Sequence, residues 1–306
     1  MEREVYVLKK FFAATTILFF SIILASCNFG LPIFLYAEEG VEDRAANMLT
    51  LLGNDLPQIN SAGKYSFIVL TDSHFGETKY ERREESFLNV FKSLLQNTDP
   101  ALRPSFIVNL GDTMDGGHSI EALQFNLTAA SWIQLAKDTL GVSDYKVYSI
   151  LGNHDLYNDG WADWRKAIYP HTSCYKFTLN AGGANPFDFF FLDSGNGTLG
   201  GNQIENLERE LKLSPRPKIV FMHYPLYAGG IFYFALDDVE ERSRLISDFS
   251  KNNVKYVFEG HKHTLHDYDF KKFKEIVVGA YLQYKTFGLV TVDENTSLVT
   301  FTRLYY

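Results

Sequence analysis

Residues 146–155, Lys-Val-Tyr-Ser-Ile-Leu-Gly-Asn-His-Asp, hold the pattern on which the fold turns. From Val147 to Leu151 the run is uncharged and mostly apolar, as in a strand buried on both faces. It stops at Gly152, and an amide oxygen donor, an imidazole and a carboxylate follow at once in Asn153, His154 and Asp155. Polar groups of three kinds therefore crowd the C-terminal end of one buried strand. Ligands of open α/β sheets bind beyond such ends.

The arrangement recurs on both sides of this stretch. Upstream, the apolar run 66–70 leads into Asp72-Ser73-His74, and 105–110 into Gly111-Asp112. Downstream, 218–222 ends at His223, and 254–258 runs into Gly260-His261-Lys262-His263. A further strand, 187–192, precedes Asp193-Ser194. Helical spacing lies between these runs at 81–96 (Phe87, Val90, Phe91, Leu94, Leu95), at 121–140 and at 203–212. Strands alternating with helices predict βαβ units and a largely parallel sheet. The tail 267–306 is rich in β-branched and aromatic residues, with turn chemistry at Asp293-Glu294-Asn295, and predicts a run of antiparallel strands.

Taken singly, these motifs have ordinary explanations. A histidine pair two apart occurs on strand faces, Asp-x-His can be a polar pair in a loop, and Gly-Asn-His-Asp can be a capped turn. Together they supply three oxygen donors (Asp72, Asp112, Asn153) and four imidazoles (His74, His223, His261, His263). That mixture suits a pair of divalent first-row transition metals, with a carboxylate available to bridge them. In this order and context the motifs resemble the calcineurin-like metallophosphoesterase superfamily, over roughly residues 65–306.

The resemblance implies a four-layer α/β/β/α sandwich spanning 64–306, with two divalent metal ions (Mn, Fe, Zn or Ni) as cofactors. It places Asp72, His74 and His263 on one ion, Asn153, His223 and His261 on the other, and Asp112 between them. It implies hydrolysis of a small-molecule phosphomonoester or phosphodiester by a metal-bridging hydroxide, since two ions about 3.5–4 Å apart acidify a shared water and clamp the phosphoryl oxygens. His154 is implied to stabilise or protonate the departing oxygen, and Asp155 to orient its ring. The purple acid phosphatase branch, which has a tyrosine three residues after the motif aspartate and lacks the histidine of Asp-x-His, fits poorly with Asp115 and His74. The alternatives are a nucleotide hydrolase of the 5′-nucleotidase type and a surface binding protein that keeps the fold as a scaffold. Such a scaffold is expected to lose ligands or His154, and none is missing.

The formal net charge is −8 and no basic block occurs, which argues against a nucleic-acid scaffold. Two bound dications would still dominate the field that a phosphate meets. At the N-terminus, Lys9-Lys10, an apolar run over 11–24 and Ala25-Ser26-Cys27 read as a secretory signal over 1–27, followed by a tether over 28–63. Leu24-Ala25-Ser26-Cys27 is similar to a bacterial lipobox, in which Cys27 would carry the lipid. Apolar character resumes over 29–36 across Pro32, a run better explained by an uncleaved anchor or by cleavage after Ala37. The expectation is an exported protein, lipid-anchored through Cys27 to a membrane at the periplasm or cell surface. The insertion 224–238, with aromatics beside Gly229-Gly230, reads either as a mobile rim or as a hydrophobic plug.

Overall fold

The computed structural model describes residues 39–59 and 61–306. The expected signal peptide and Cys27 lie outside them. Among the described residues no helix is long and apolar enough to cross a membrane.

Two sheets lie face to face. The five-stranded sheet has the order β12-β11-β2-β3-β4. Here β2 is Lys64–Leu70, β3 Pro104–Asn109, β4 Val147–Ser149, β11 Thr286–Asp293 and β12 Leu298–Tyr305. β2, β3 and β4 run parallel, while β11 pairs antiparallel with both β2 and β12. The seven-stranded sheet has the order β1-β5-β6-β7-β8-β10-β9. Its strands are β1 Leu49–Thr50, β5 Tyr175–Leu179, β6 Phe187–Phe191, β7 Lys218–Phe221, β8 Val254–Glu259, β9 His266–Asp269 and β10 Lys274–Val277.

Alternation along each strand assigns its side chains to two layers. On β2, Tyr65, Phe67 and Val69 point between the sheets, while Ile68 and Leu70 point to the helices. The inter-sheet core is aromatic: Phe67 stacks on Phe106 at 4.7 Å and meets Phe189 edge-on at 5.8 Å. Outside the five-stranded sheet pack helices α2 (Glu84–Leu95) and α3 (Ser119–Leu140), through Phe87, Phe91, Phe125 and Trp132. Outside the other sheet pack α5 (Gly201–Leu213) and α6 (Val239–Lys251), through Ile204, Leu207, Leu245 and Phe249. The fold is thus the α/β/β/α sandwich, with both outer faces covered as parallel sheets require.

Two parts depart from the sequence reading. The tail is not one antiparallel run. β10 joins β8 in parallel, a short helix α7 (Tyr281–Tyr284) follows, and β11 and β12 cross to the other sheet. Nor does the described part of the 28–63 segment hang free as a tether. Helix α1 (Val41–Arg44) buries Val41 and Arg44, and β1 pairs with β5 at the sheet edge. Arg44 Nε lies 3.0 Å from Asp193 Oδ2 with both side chains fully buried, and the Glu42 carboxylate accepts from Gly201 N and Asn202 N at the start of α5. Short apolar runs hid these contacts, because their partners lie about 150 residues away.

Candidate metal centre

The C-terminal ends of β2, β3 and β4 in one sheet, and of β7 and β8 in the other, converge at one edge of the sandwich. The loops after them carry Asp72 and His74, Asp112, Asn153, His223, and His261 with His263. All seven residues that the motif order singled out arrive there. Asp72, His74, Asp112 and His263 offer ligand atoms within 4.8 Å of one another, as do Asp112, His223 and His261. Asp112 belongs to both groups, the position expected of a bridging ligand. Asn153 stands beside them, its amide nitrogen 3.2 Å from the Tyr157 hydroxyl, which leaves its oxygen to the cluster.

Backbone geometry here is unusual. Asp72, His74, Asp112, His261 and His263 all have positive φ, between 39° and 62°. Few non-glycine residues take that conformation, and its cost is tolerated where surrounding structure enforces it, often at functional sites. The loops enforce it by cross-bonding: Asp72 N donates to Gly111 O and His74 N to Asp112 O. Gly152 lets two of these loops touch, since a Cβ there would lie 2.2 Å from Asp112 Oδ1.

The candidate ligand atoms face one another at close range. His74 Nε2 and His263 Nε2 are 3.2 Å apart, and His223 Nε2 is 3.3 Å from Asp112 Oδ2. Both carboxylate oxygens of Asp72 and the Asn153 Oδ1 are buried with no hydrogen-bond partner among the described residues. Buried acceptors left this way are costly, and cations placed among them would remove the cost. The donor set therefore fits divalent metal ions.

Outer partners fix which imidazole nitrogen faces inward. His223 Nδ1 bonds Leu110 O at 2.8 Å, His263 Nδ1 bonds Gln283 Oε1 at 3.0 Å, and His74 Nδ1 lies 3.2 Å from Asp115 Oδ1. His261 stacks on Tyr224 at 3.8 Å. Electrostatics without metal follow from this crowding. Burial alone would raise the Asp112 carboxyl, but His223, His154 and His74 hold it well below the usual range. Burial opposes charge on His223, yet Asp112 and Asp72 raise it to about 9. Burial, with His223 beside it, drops His261 to about 3, so its lone pair stays available as a ligand.

Asp155 departs from expectation. The His154 ring lines the cavity beside His74, Asp115, His263 and Gln283. Its Nδ1 is 2.6 Å from the carbonyl of Asp115 and 3.7 Å from that residue's carboxylate. Asp155 does not orient the ring. Fully buried, it accepts from Met114 N at 2.8 Å and from Gly152 N at 2.9 Å, tying the Asp112 loop to the Asn153 loop. Burial, then Asp112, push its carboxyl up to about 7. Adjacency in sequence does not make two side chains neighbours here, because successive residues in a tight turn point apart. Asp115, Tyr157 and Gln283 were missed for that reason. Only Asp115, three residues after Asp112, carried a local signal.

The other histidines stand apart from the cluster's ligand set. His118 caps α3 in a reciprocal box with Glu121, and His171 bonds Arg165 O. Ser194 accepts from His223 N and Tyr224 N, and Gln203 braces Asp193, so the Leu192-Asp193-Ser194 element is architectural. In the insertion 224–238, Ala228, Ala235 and Leu236 are buried, while Ile231, Phe232 and Tyr233 are exposed. It is a rim with a buried base.

Comparison with known proteins identifies the family. The family model for calcineurin-like phosphoesterases matches residues 65–265, more than half of the chain. A protein of Fibrobacter succinogenes described as a probable cyclic nucleotide phosphodiesterase is 25% identical over 203 residues, 64% of this chain and 71% of that protein. Among solved structures, GAP50, the anchor in the inner membrane complex of Plasmodium, aligns with a TM-score of 0.55 at 13% identity, covering 79% of this chain and 84% of that one. The phosphopantetheinyl hydrolase of Mycobacterium tuberculosis aligns over 72% of this chain and 91% of its own, with a TM-score of 0.44 and 12% identity. The chain belongs to the calcineurin-like phosphoesterase family and is a metal-dependent phosphoesterase.

Proposed function

We propose that this calcineurin-like phosphoesterase uses two divalent metal ions to hydrolyse a small phosphomonoester or phosphodiester outside the cytoplasm. The observation that carries the reading is the convergence of six donor side chains in two groups that share Asp112, with the buried, unpartnered Asn153 Oδ1 as a seventh donor. Asp72, His74 and His263 would hold one ion and Asn153, His223 and His261 the other, with Asp112 shared. Bound there, such ions supply Lewis acidity, acidifying water and neutralising charge on phosphoryl oxygens.

The chain's own groups do the rest. His154 gives its Nδ1 hydrogen bond to the Asp115 carbonyl, so Nε2 is the nitrogen left to pass a proton to the leaving oxygen. Asp115, Leu110 O and Gln283 hold the ligand imidazoles at Nδ1, and Asp155 holds the two loops together. The name of the Fibrobacter relative puts phosphodiesters beside monoesters among the substrates to try.

The test is a panel of monoesters, diesters and nucleotides, each assayed with Mn, Fe, Zn, Ni and Mg. Turnover with no panel member under any metal, by protein carrying close to two ions per chain, would overturn the catalytic reading in favour of a binding protein. Export through Cys27 is tested by lipid labelling, expected to be lost in Cys27→Ser. An unlipidated chain beginning near Glu38 would support ordinary signal cleavage instead.

A further inference from the structure

We infer that the rim Ile231–Phe234 seats on a lipid bilayer, so that the metal-ligand cluster faces the headgroup layer. The rim is built to stay exposed. Its base is pinned: Leu226 N donates to Glu259 Oε1, Ala228 N to Glu275 Oε1, Leu236 N to Pro225 O, and the Arg242 guanidinium to Leu236 O. Among the described residues its tip is left exposed: Ile231 is 50%, Phe232 53% and Tyr233 84% exposed. Three large apolar side chains held in water side by side mark a surface meant to be covered. The tip adjoins the cluster, with the Phe234 ring 6.0 Å from that of His261.

The sequence before the described residues says what covers it. Residues 28–37, which follow Cys27, contain no charged side chain. The chain then enters the fold on the same face as the rim. Glu39 accepts from Trp161 Nε1, just after the Asn153 loop, and Arg44 binds Asp193 and Asn196 beyond the end of β6. The 194–197 turn continues to the rim, since Asp237 N donates to Gly197 O at 2.8 Å. The first described residues and the exposed aromatic tip thus lie at the same edge of the sandwich. Held to a bilayer through the chain before Glu39, the protein would meet it with the rim.

The chemistry is apolar, not electrostatic. The insertion 224–238 contains no lysine or arginine, and Lys262 is turned inward to Ala228 O. The rim itself offers no free cation to anionic headgroups, and seating should survive molar salt.

The full chain bearing Phe232→Trp is reconstituted into phosphatidylcholine vesicles, with and without spin-labelled lipid. Lys272→Trp, in the turn before β10 at the opposite end of the strands, is the control, and the fluorescence of the buried native tryptophans is subtracted. Quenching several-fold greater at position 232 than at 272, unchanged in molar salt, is expected. Adding Ile231→Ser and Tyr233→Ser to the Phe232→Trp chain should abolish most of it. No quenching at 232, or equal quenching at both positions, overturns the inference. So does concentration-dependent shielding of position 232 from iodide without lipid quenching, which would mean that a second copy covers the rim.

Discussion

Asp155→Asn separates the two roles open to this carboxylate. Were Asp155 to orient the His154 ring, the variant would be a mild copy of His154→Ala. The structure gives a different expectation. Asp155 accepts two backbone N–H bonds, at 2.8 and 2.9 Å, and neither comes from His154. Bonds to a charged acceptor contribute about 1.5–3 kcal/mol each. Asparagine keeps one acceptor oxygen and turns an amide NH2 toward the other N–H, so one bond is lost and one buried donor is orphaned. Against this, the carboxyl is already raised to about 7 by burial and by Asp112, so removing it relieves an unfavourable charge. The net loss is about 2 kcal/mol, a fall of about 4–8 °C in Tm for a domain of this size. Because Asp155 joins the loops carrying Asp112 and Asn153, bound metal should fall as well, and activity should drop equally for good and poor leaving groups. Calorimetry, elemental analysis and a leaving-group series on one preparation decide it. Unchanged Tm and metal content, with a loss confined to poor leaving groups, would refute the reasoning.

His154→Ala should keep its metals and fold while turnover falls about 10²- to 10⁴-fold, with a smaller loss on nitrophenyl and dinitrophenyl esters; loss of metal would show His154 to be a ligand. Asp112→Asn, at the residue common to both donor groups, should leave well under two metals per chain by elemental analysis, and full occupancy with full activity would sink the shared-ligand assignment. Arg44→Ala strands the buried Asp193 carboxylate and should cost about 3–5 kcal/mol in denaturant unfolding; wild-type stability would mean that residues 39–50 are a dispensable tether after all.

The sequence by itself determined where the candidate donor side chains are. Each lies just beyond a buried strand, and a strand that ends in a turn is a local pattern, readable from an apolar run and the polar residues that stop it. It determined the four layers for the same reason, since strand and helix periods are local. Only the tertiary structure decided what each polar group touches. Met114 N reaches Asp155 across 41 residues, and Arg44 reaches Asp193 across 149. No spacing rule encodes such pairs, because they form only once two sheets have packed and brought their strand ends to one edge. The same packing gave Asp115 and Gln283 to the ligand imidazoles and sent β10 to one sheet but β11 to the other. It also left Ile231, Phe232 and Tyr233 in water, where the bare sequence allowed either a rim or a plug. Periodicity records which side chains are apolar, but whether an apolar loop is covered depends on the surfaces that the rest of the chain leaves free.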